Sequence, residues 1–280
     1  MDDIAPPAAE IVAADVARAL AEDIGTGDVS AALVPDERAR ARLVCREAAV
    51  ICGRPWFDAV FRSLDPNVSI DWQVDEGARV APDTVICRLE GRARALLSGE
   101  RCALNFLQTL SGTASEAARH AAAVAGTATR ILDTRKTLPG LRQAQKYAVR
   151  VGGCHNHRIG LFDAVMLKEN HIAAAGSIAA AMAQARRQFP TLPLIVEVET
   201  LAELDEVLAA GGCERVLLDD FSLDDMREAV RRSGGKQALE VSGGVSLERI
   251  REIAATGVDC ISIGALTKHV RAVDLSLRFE

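Results

Sequence analysis

The second half of the chain alternates between short apolar segments and longer helical segments, and this rhythm restricts the fold more than any other feature. The predicted strands begin near Arg130, Ala164, Leu194, Val216, Ala238 and Cys260. Because helical segments fill the gaps, consecutive strands are expected to be parallel and joined by crossover helices. An incomplete α/β barrel and a doubly wound sheet both have this order. Polar residues follow most of the strands and are not confined to one switch point, which favours the barrel.

The first part of the chain has the pattern of a smaller domain. Apolar residues at helical spacing predict an N-terminal helix that ends at the turn Gly25–Asp28. Further elements are predicted as strands at 43–45, 50–52 and 85–87 and as a helix at 56–64. A long Ala- and Leu-rich helix over 98–124, broken or kinked near Ser111-Gly112, is predicted to link the two parts. The predicted domains are therefore 1–112, with the linking helix, and a barrel over 113–268.

The overall charge and the cysteines exclude several classes of protein. The formal net charge is −6, so no concentrated basic surface is expected for nucleic acid or for an anionic membrane. The seven cysteines are an odd number without a CxxC pair, which argues against a disulfide framework or a zinc site and for a reduced, cytoplasmic setting. The segment Met1–Ala14 lacks the basic flank of a signal peptide, and no uncharged apolar run is long enough to span a bilayer. Any anionic ligand must be bound by local charges.

Two adjacent cations follow the first strand of the predicted barrel. Arg135 and Lys136 stand between the hydroxyls of Thr134 and Thr137, and Leu138-Pro139-Gly140 then opens a helix. An arginine offers a planar fork that fits a carboxylate or phosphate, and a lysine offers a mobile point charge. This segment is interpreted as an anion cradle, with a solvated basic loop as the alternative.

More basic residues flank the second strand. His155, His157 and Arg158 belong to a glycine-rich loop just before it, and Lys168 ends it. A histidine in such a loop has no apolar face to belong to, so a ligand-binding role is favoured for His157. Lys168 is interpreted as a phosphate ligand, and the alternatives are a Schiff-base lysine or a structural partner of Glu169.

Carboxylates and small residues follow the later strands. Strand alternation places Glu197 and Glu199 on one side of the third strand, and Asp219 and Asp220 follow the fourth. Glu197 with the two aspartates is interpreted as a site for ribose hydroxyls or for Mg²⁺ carried by a diphosphate; an internal salt bridge from Glu197 to Arg135 or Lys168 is the alternative. The turns after the fifth and sixth strands, Ser242-Gly243-Gly244 and Gly264-Ala265, have the small residues that expose backbone N–H groups to a phosphate.

These segments together resemble the quinolinate phosphoribosyltransferase family. The resemblance is carried by Glu22–Ser30, Gly99–Phe106, Asp133–Gly140 and Gly264–Thr267, with the block from Asp133 to His171 as its most specific part. It implies an α/β protein with an N-terminal α+β open sandwich, an incomplete six-stranded α/β barrel, and a C-terminal segment, 269–280, that returns to the first domain. It also implies a homodimer, or a higher oligomer built from it, in which Arg101 of one subunit reaches the barrel of the other.

The resemblance further implies the roles of individual residues. Catalysis is assigned to Lys136, Lys168, Glu197 and Asp219, and the last two of these are the implied Mg²⁺ ligands. The implied substrate contacts are Arg101, Thr134, Arg135, Lys136, His157, Arg158, Lys168, Glu197, Asp219, Ser242, Gly243, Gly244, Gly264 and Ala265. This sequence departs from the family at Asp220, where asparagine is usual, and at Cys154-His155, where smaller residues are usual.

The implied reaction transfers a phosphoribosyl group from 5-phosphoribosyl 1-diphosphate to quinolinate with loss of CO₂, giving nicotinate mononucleotide and diphosphate for NAD biosynthesis. Three alternatives stay open. One is a near relative associated with molybdenum uptake loci, which resembles this chain around Arg135-Lys136-Thr137 but differs after the first barrel strand. The others are a barrel aldolase that uses Lys168 as a Schiff base, and a non-catalytic module that binds dicarboxylates or sugar phosphates.

Overall fold

The computed structural model describes residues 4–280, so the first three residues of the acidic N-terminal segment lie outside the described residues. The chain divides into two compact units. The first unit contains the described residues up to Ala118 together with Thr137–Gly153 and Ala265–Glu280. The second unit contains Arg119–Lys136 and Cys154–Gly264. The domain boundaries expected from the sequence stay a prediction.

The helices and strands are numbered in chain order. The elements up to residue 123 are α1 (Ala9–Ile24), a 3₁₀ turn (Ala31–Leu33), β1 (Arg38–Cys45), β2 (Ala49–Val50), α2 (Arg54–Leu64), β3 (Ser69–Trp72), β4 (Arg79–Val80), β5 (Thr84–Arg92) and α3 (Ala93–Ala123). Those that follow are β6 (Arg130–Leu132), α4 (Arg142–Val151), β7 (Val165–Leu167), α5 (Glu169–Ala175), α6 (Ile178–Gln188), β8 (Leu194–Val198), α7 (Leu201–Ala210), β9 (Arg215–Asp219), α8 (Leu223–Ser233), β10 (Ala238–Ser242), α9 (Ile250–Ala254), β11 (Cys260–Ser262), α10 (Ala265–Lys268) and β12 (Leu275–Phe279).

The first unit is an open sandwich of helices against an antiparallel sheet. The sheet has four strands in the order β12-β1-β5-β3, so a strand from the end of the chain pairs with β1, with Leu43 opposite Leu277. Helix α2 contributes Trp56, Phe57 and Phe61 to the core, where all three are almost completely buried. Their spacing puts them on one face of the helix, as expected for an amphipathic helix that covers a sheet.

Helix α3 is continuous, so the predicted break near Ser111-Gly112 is wrong. Packing requires a glycine at position 112, because a Cβ atom there would lie 2.1 Å from the carbonyl oxygen of Arg271. Ser111 is buried, and its hydroxyl accepts a hydrogen bond from the N–H of Cys52 at 3.0 Å. Strand β2 consists of Ala49 and Val50, so only Val50 of the predicted strand at 50–52 lies in a strand.

The second unit is built on a six-stranded sheet in the order β6-β11-β10-β9-β8-β7, and every pairing in it is parallel. The predicted parallel strands are confirmed, and each begins within one residue of the expected position. Helices α5 to α9 lie between consecutive strands, which is the crossover arrangement expected of an α/β barrel. Strand β8 is buried along its whole length, as parallel strands covered on both faces require. The predicted fold class is therefore confirmed.

All seven cysteines are free thiols, and each is buried. Within residues 4–280 no helix has both the length and the apolar content needed to cross a membrane.

His120, near the end of α3, predicts how the stability of the protein depends on pH. It is only 3% exposed, and burial lowers its pKa to about 4, with Arg119 adding to the effect and Glu248 opposing it. In the unfolded chain, His120 takes up a proton once the pH falls below its ordinary pKa of about 6.5. In the folded chain, it takes up that proton only near pH 4. We expect the free energy of unfolding to fall by about 3 kcal/mol between pH 7 and pH 4 on account of this group.

The measurement is urea unfolding of the wild type, of His120→Gln and of the exposed control His171→Asn at several pH values. The wild type and the control should lose stability in parallel as the pH falls, and His120→Gln should lose about 3 kcal/mol less. Equal pH slopes for all three proteins would contradict the assignment.

Candidate functional site

The residues singled out in the sequence lie mainly at the carboxyl ends of the parallel strands of the second unit. Asp133 to Lys136 follow β6, Lys168 follows β7, and Asp219 and Ser242 are the last residues of β9 and β10. Parallel strands present these ends on the same side of the sheet. The arrangement therefore brings the candidate side chains to one edge of the second unit.

Asp133 anchors the glycine-rich loop to the end of β6. Its carboxylate is completely buried and accepts hydrogen bonds from the Asn156 side chain at 2.7 Å and from the His157 backbone N–H at 2.8 Å. The backbone of His155 also pairs with β6, next to Leu132. This anchoring places the loop residues beside the cradle that follows β6. The sequence showed Asp133 only as the start of a basic motif, so its organising role was missed.

Arg135 and Arg158 lie close enough for their charges to interact. Burial lowers the pKa of Arg158, the Arg135 guanidinium lowers it further, and Asp163 opposes them. The Arg158 side chain also donates to the carbonyl oxygen of Ala164 at 3.2 Å, which restrains its position. Two guanidinium groups held near each other repel, and an anion between them relieves that repulsion. The pair is suited to a ligand with more than one negative charge.

Lys136 belongs to the cradle after β6, and its side chain lies against the turn after β11. Its backbone N–H donates to the hydroxyl of Thr134 at 3.1 Å. A Cβ atom at Gly264 would come within 2.8 Å of the Lys136 side chain. Glycine at position 264 thus leaves room for the lysine, and the structure brings Thr134, Lys136 and Gly264 together as a group.

Lys168 forms a salt bridge with Glu197, with Nζ and Oε2 2.5 Å apart. The side chain of Glu197 is 9% exposed and that of Lys168 is 43% exposed, so the pair faces solvent on the lysine side. The internal salt bridge weighed for Glu197 is confirmed with Lys168. The observed partner of Lys168 is thus Glu197 and not the alternative Glu169, whose carboxylate accepts a hydrogen bond from the neighbouring Asn170 side chain. Glu199 was also misplaced, since β8 ends at Val198 and Glu199 is exposed.

Asp219 and Ser242 join the ends of two neighbouring strands. The Ser242 hydroxyl donates to the Asp219 carboxylate at 2.6 Å. Gly243 and Gly244 then have φ values of +87° and +53°, a region that glycine adopts without strain. Asp220 also has a positive φ, +53°, and its carboxylate fills the space that a Cβ at Gly243 would need, 2.0 Å away. A side chain at position 243 is therefore excluded.

The described side chains alone do not form a complete metal cage. Within residues 4–280 no group of three or more His, Cys, Asp or Glu side chains has the arrangement of a metal site. Glu197 and Asp219 supply carboxylate oxygens, the donors that Mg²⁺ prefers, and Mg²⁺ usually takes its remaining ligands from phosphates and water. These residues fit a Mg²⁺ ion that arrives with a diphosphate and do not fit one held by protein side chains alone.

Two expected site residues belong to the first unit, and Cys154 marks a departure from the family. Arg101 is an exposed residue of α3 in the first unit, and Ala265 is the first residue of α10; their assignment to substrate stays a prediction. Cys154 of the unusual loop is buried, and burial raises its pKa to about 12, so the thiol is a core group.

A buried carboxylate was missed by the sequence reasoning. Glu240, in the middle of β10, is 0% exposed and lies against His157 and Arg215. The only sequence signal was a charged residue at the centre of an apolar strand.

Comparisons with known proteins agree on one family. Residues 113–278 match the model described as quinolinate phosphoribosyl transferase, C-terminal domain, and residues 28–111 match that of the N-terminal domain. A probable nicotinate-nucleotide pyrophosphorylase (carboxylating) from Synechocystis sp. is 44% identical over 92% of this chain and 89% of that protein. A nicotinate-nucleotide pyrophosphorylase (carboxylating) from Mycobacterium leprae is 42% identical over 94% of this chain and 95% of that protein. The solved structure of the nicotinate-nucleotide pyrophosphorylase from Francisella tularensis has a TM-score of 0.96, 45% identity and full coverage of both chains.

Proposed function

Since the chain belongs to the quinolinate phosphoribosyl transferase family, we propose that it is a pentosyltransferase acting on quinolinate and 5-phosphoribosyl 1-diphosphate. The reaction joins the pyridine nitrogen of quinolinate to C1 of the ribose, expels diphosphate and releases the 2-carboxylate as CO₂. The product is nicotinate mononucleotide, a precursor in NAD biosynthesis. Relatives with 38–44% identity carry the names nicotinate-nucleotide pyrophosphorylase (carboxylating) and quinolinate phosphoribosyltransferase (decarboxylating).

The observation that carries the proposal is the pair of guanidinium groups, Arg135 and Arg158, held within electrostatic reach of each other. Quinolinate has two adjacent carboxylates, and each can take one guanidinium in a planar, charge-assisted contact. Lys136, the next residue after Arg135, is assigned a third positive charge for the same ligand. The assignment of His157 to a substrate carboxylate stays a prediction.

The nucleophile in this reaction needs no general base. The pyridine nitrogen already has a lone pair, so the side chains act by orienting the two substrates and by stabilising charge. Once the nitrogen is bonded to the ribose, the ring is positively charged. It can then accept the electron pair released when the bond to the 2-carboxylate breaks, so the substrate itself makes decarboxylation possible.

The second group of residues is assigned to the sugar diphosphate. Lys168, with Glu197 and Asp219, would meet the diphosphate and its Mg²⁺, which supplies positive charge to the leaving group. The backbone N–H groups at Ser242-Gly243-Gly244 and at Gly264-Ala265 would bind the 5′-phosphate. The Lys168–Glu197 salt bridge supports a role for this lysine as a fixed charge over that of a Schiff-base nucleophile.

The proposal includes the assembly and the setting of the enzyme. A homodimer, or a higher oligomer built from it, would let Arg101 of one subunit complete the quinolinate site of its partner. Free thiols support a reducing, cytoplasmic setting. Nucleic acid and membranes are not expected partners, because the net charge of −6 gives no basic surface of the needed kind.

The decisive test is product analysis. The chain is incubated with quinolinate, 5-phosphoribosyl 1-diphosphate and Mg²⁺, and nicotinate mononucleotide and CO₂ are measured; we expect both in equal amounts. Omission of either substrate is the control. Binding of quinolinate without any product would favour a non-catalytic module, and borohydride trapping of Lys168 with a carbonyl substrate would favour an aldolase.

A further inference from the structure

A chain of polar contacts runs through the interior of the second unit and ends at Arg158. Glu240 Oε2 lies 3.1 Å from Arg215 Nε, and its Oε1 lies 3.4 Å from His157 Nε2. The other ring nitrogen of His157, Nδ1, accepts a hydrogen bond from the backbone N–H of Arg158 at 2.7 Å. The order of contacts is therefore Arg215, Glu240, His157, Arg158.

Burying a carboxylate this deeply is costly, and an apolar residue would pack in the strand at lower cost. Burial by itself would raise the pKa of Glu240, and the facing His157 and Arg215 more than offset this, so its pKa is lowered. The group is thus a carboxylate, with one oxygen toward each neighbour. A buried charge that gives little stability is explained best by what it does to its neighbours.

The contact at Nδ1 fixes the protonation pattern of the His157 ring. A nitrogen that accepts a hydrogen bond carries no proton, so Nε2 must carry the ring proton of the neutral imidazole. That N–H faces the carboxylate of Glu240. Ionised Glu and Asp side chains accept hydrogen bonds and donate none. The 3.4 Å separation is longer than a good hydrogen bond, and catalytic contacts of this kind commonly tighten when substrate binds.

We infer that Glu240 is a positioning residue that holds His157 in the Nε2–H tautomer and, through the ring, fixes the backbone of Arg158 so that its guanidinium meets a substrate carboxylate. In this arrangement His157 acts on the site through the backbone of Arg158. The inference rests on the proposed function for the identity of the ligand of Arg158. The tautomer and its dependence on Glu240 do not rest on it.

Glutamine is the informative substitution, because it has the same shape and only one acceptor. In Glu240→Gln the amide oxygen can face Arg215 or His157, and the NH₂ group then faces the other. If the NH₂ faces His157, the ring proton must move to Nδ1, where it meets the N–H of Arg158. Glu240→Asp keeps two acceptors on a shorter side chain. Thr256→Val serves as the control, since it removes a different buried hydrogen bond of the same unit, to Ile253.

The experiment combines histidine NMR with steady-state kinetics. The protein has five histidines, so ¹⁵N-histidine labelling gives a simple spectrum in which His157 is identified by its loss in His157→Gln. We expect the Nε2–H pattern for His157 in the wild type, in Glu240→Asp and in Thr256→Val, and a changed pattern in Glu240→Gln. The KM for quinolinate should rise roughly tenfold or more in Glu240→Gln, with the KM for 5-phosphoribosyl 1-diphosphate within about twofold of the wild type.

Two results would overturn the inference: an Nδ1–H pattern for His157 in the wild type, or an unchanged KM for quinolinate in a folded Glu240→Gln protein. The wild-type spectrum decides the first point even if the variant does not fold. If the wild type makes no nicotinate mononucleotide, the proposed function fails, and the spectra of the wild type and of Glu240→Gln still test the role of Glu240.

Discussion

Replacing Arg135 with alanine is expected to lower kcat/KM for quinolinate about a hundredfold or more, the equivalent of about 3 kcal/mol of transition-state stabilisation. The guanidinium lies within electrostatic reach of Arg158 in a site suited to two carboxylates. Without it, one carboxylate of the substrate would lose its planar, charge-assisted partner in a partly buried site. The measurement is steady-state kinetics with varied quinolinate.

The matched variants separate charge from geometry. Arg135→Lys keeps the charge and loses the planar fork, so its kcat/KM should lie between those of the wild type and of Arg135→Ala. Arg227→Ala removes an exposed arginine that pairs only locally, with Asp224, and should leave kcat/KM unchanged. Near-normal kcat/KM in Arg135→Ala would remove the cradle after β6 from the quinolinate site and refute this assignment.

The sequence allowed the parallel sheet to be predicted because each strand is a short apolar segment followed by polar residues and a helix. The strands β6 to β11 are defined by such local signals, and the polar residues at their ends could be expected to meet because parallel strands share one carboxyl edge. Lys168 and Glu197 illustrate this, since each is recognisable in its own segment and their salt bridge follows from adjacent strands.

The parts that could not be predicted depend on contacts between distant segments. Gly112 resembles a helix breaker until the approach of the Arg271 carbonyl is known. Asp133 and Glu240 are isolated acids in the sequence, and their roles arise from a loop and strands that pack against them. The proposed contribution of Arg101 would require a second subunit, which the pattern of one chain does not describe. Local patterns therefore locate the charges of the site, and tertiary contacts decide how those charges are oriented.

Excess chelator is expected to lower the rate at least about a hundredfold, because the departing diphosphate would lose the cation that offsets its charge. Glu197 and Asp219 are the proposed carboxylate ligands of this ion, and Asp219→Asn keeps an acceptor for the Ser242 hydroxyl while it removes the charge. We therefore expect Asp219→Asn to need more Mg²⁺ for half-maximal rate, and the exposed control Asp224→Asn to need the same amount as the wild type. Glu197→Gln is a less direct test, since it also leaves Lys168 without its counter-charge. A full rate in excess chelator would mean that the protein cations alone stabilise the leaving group, and Glu197 would then serve only to hold Lys168 in place.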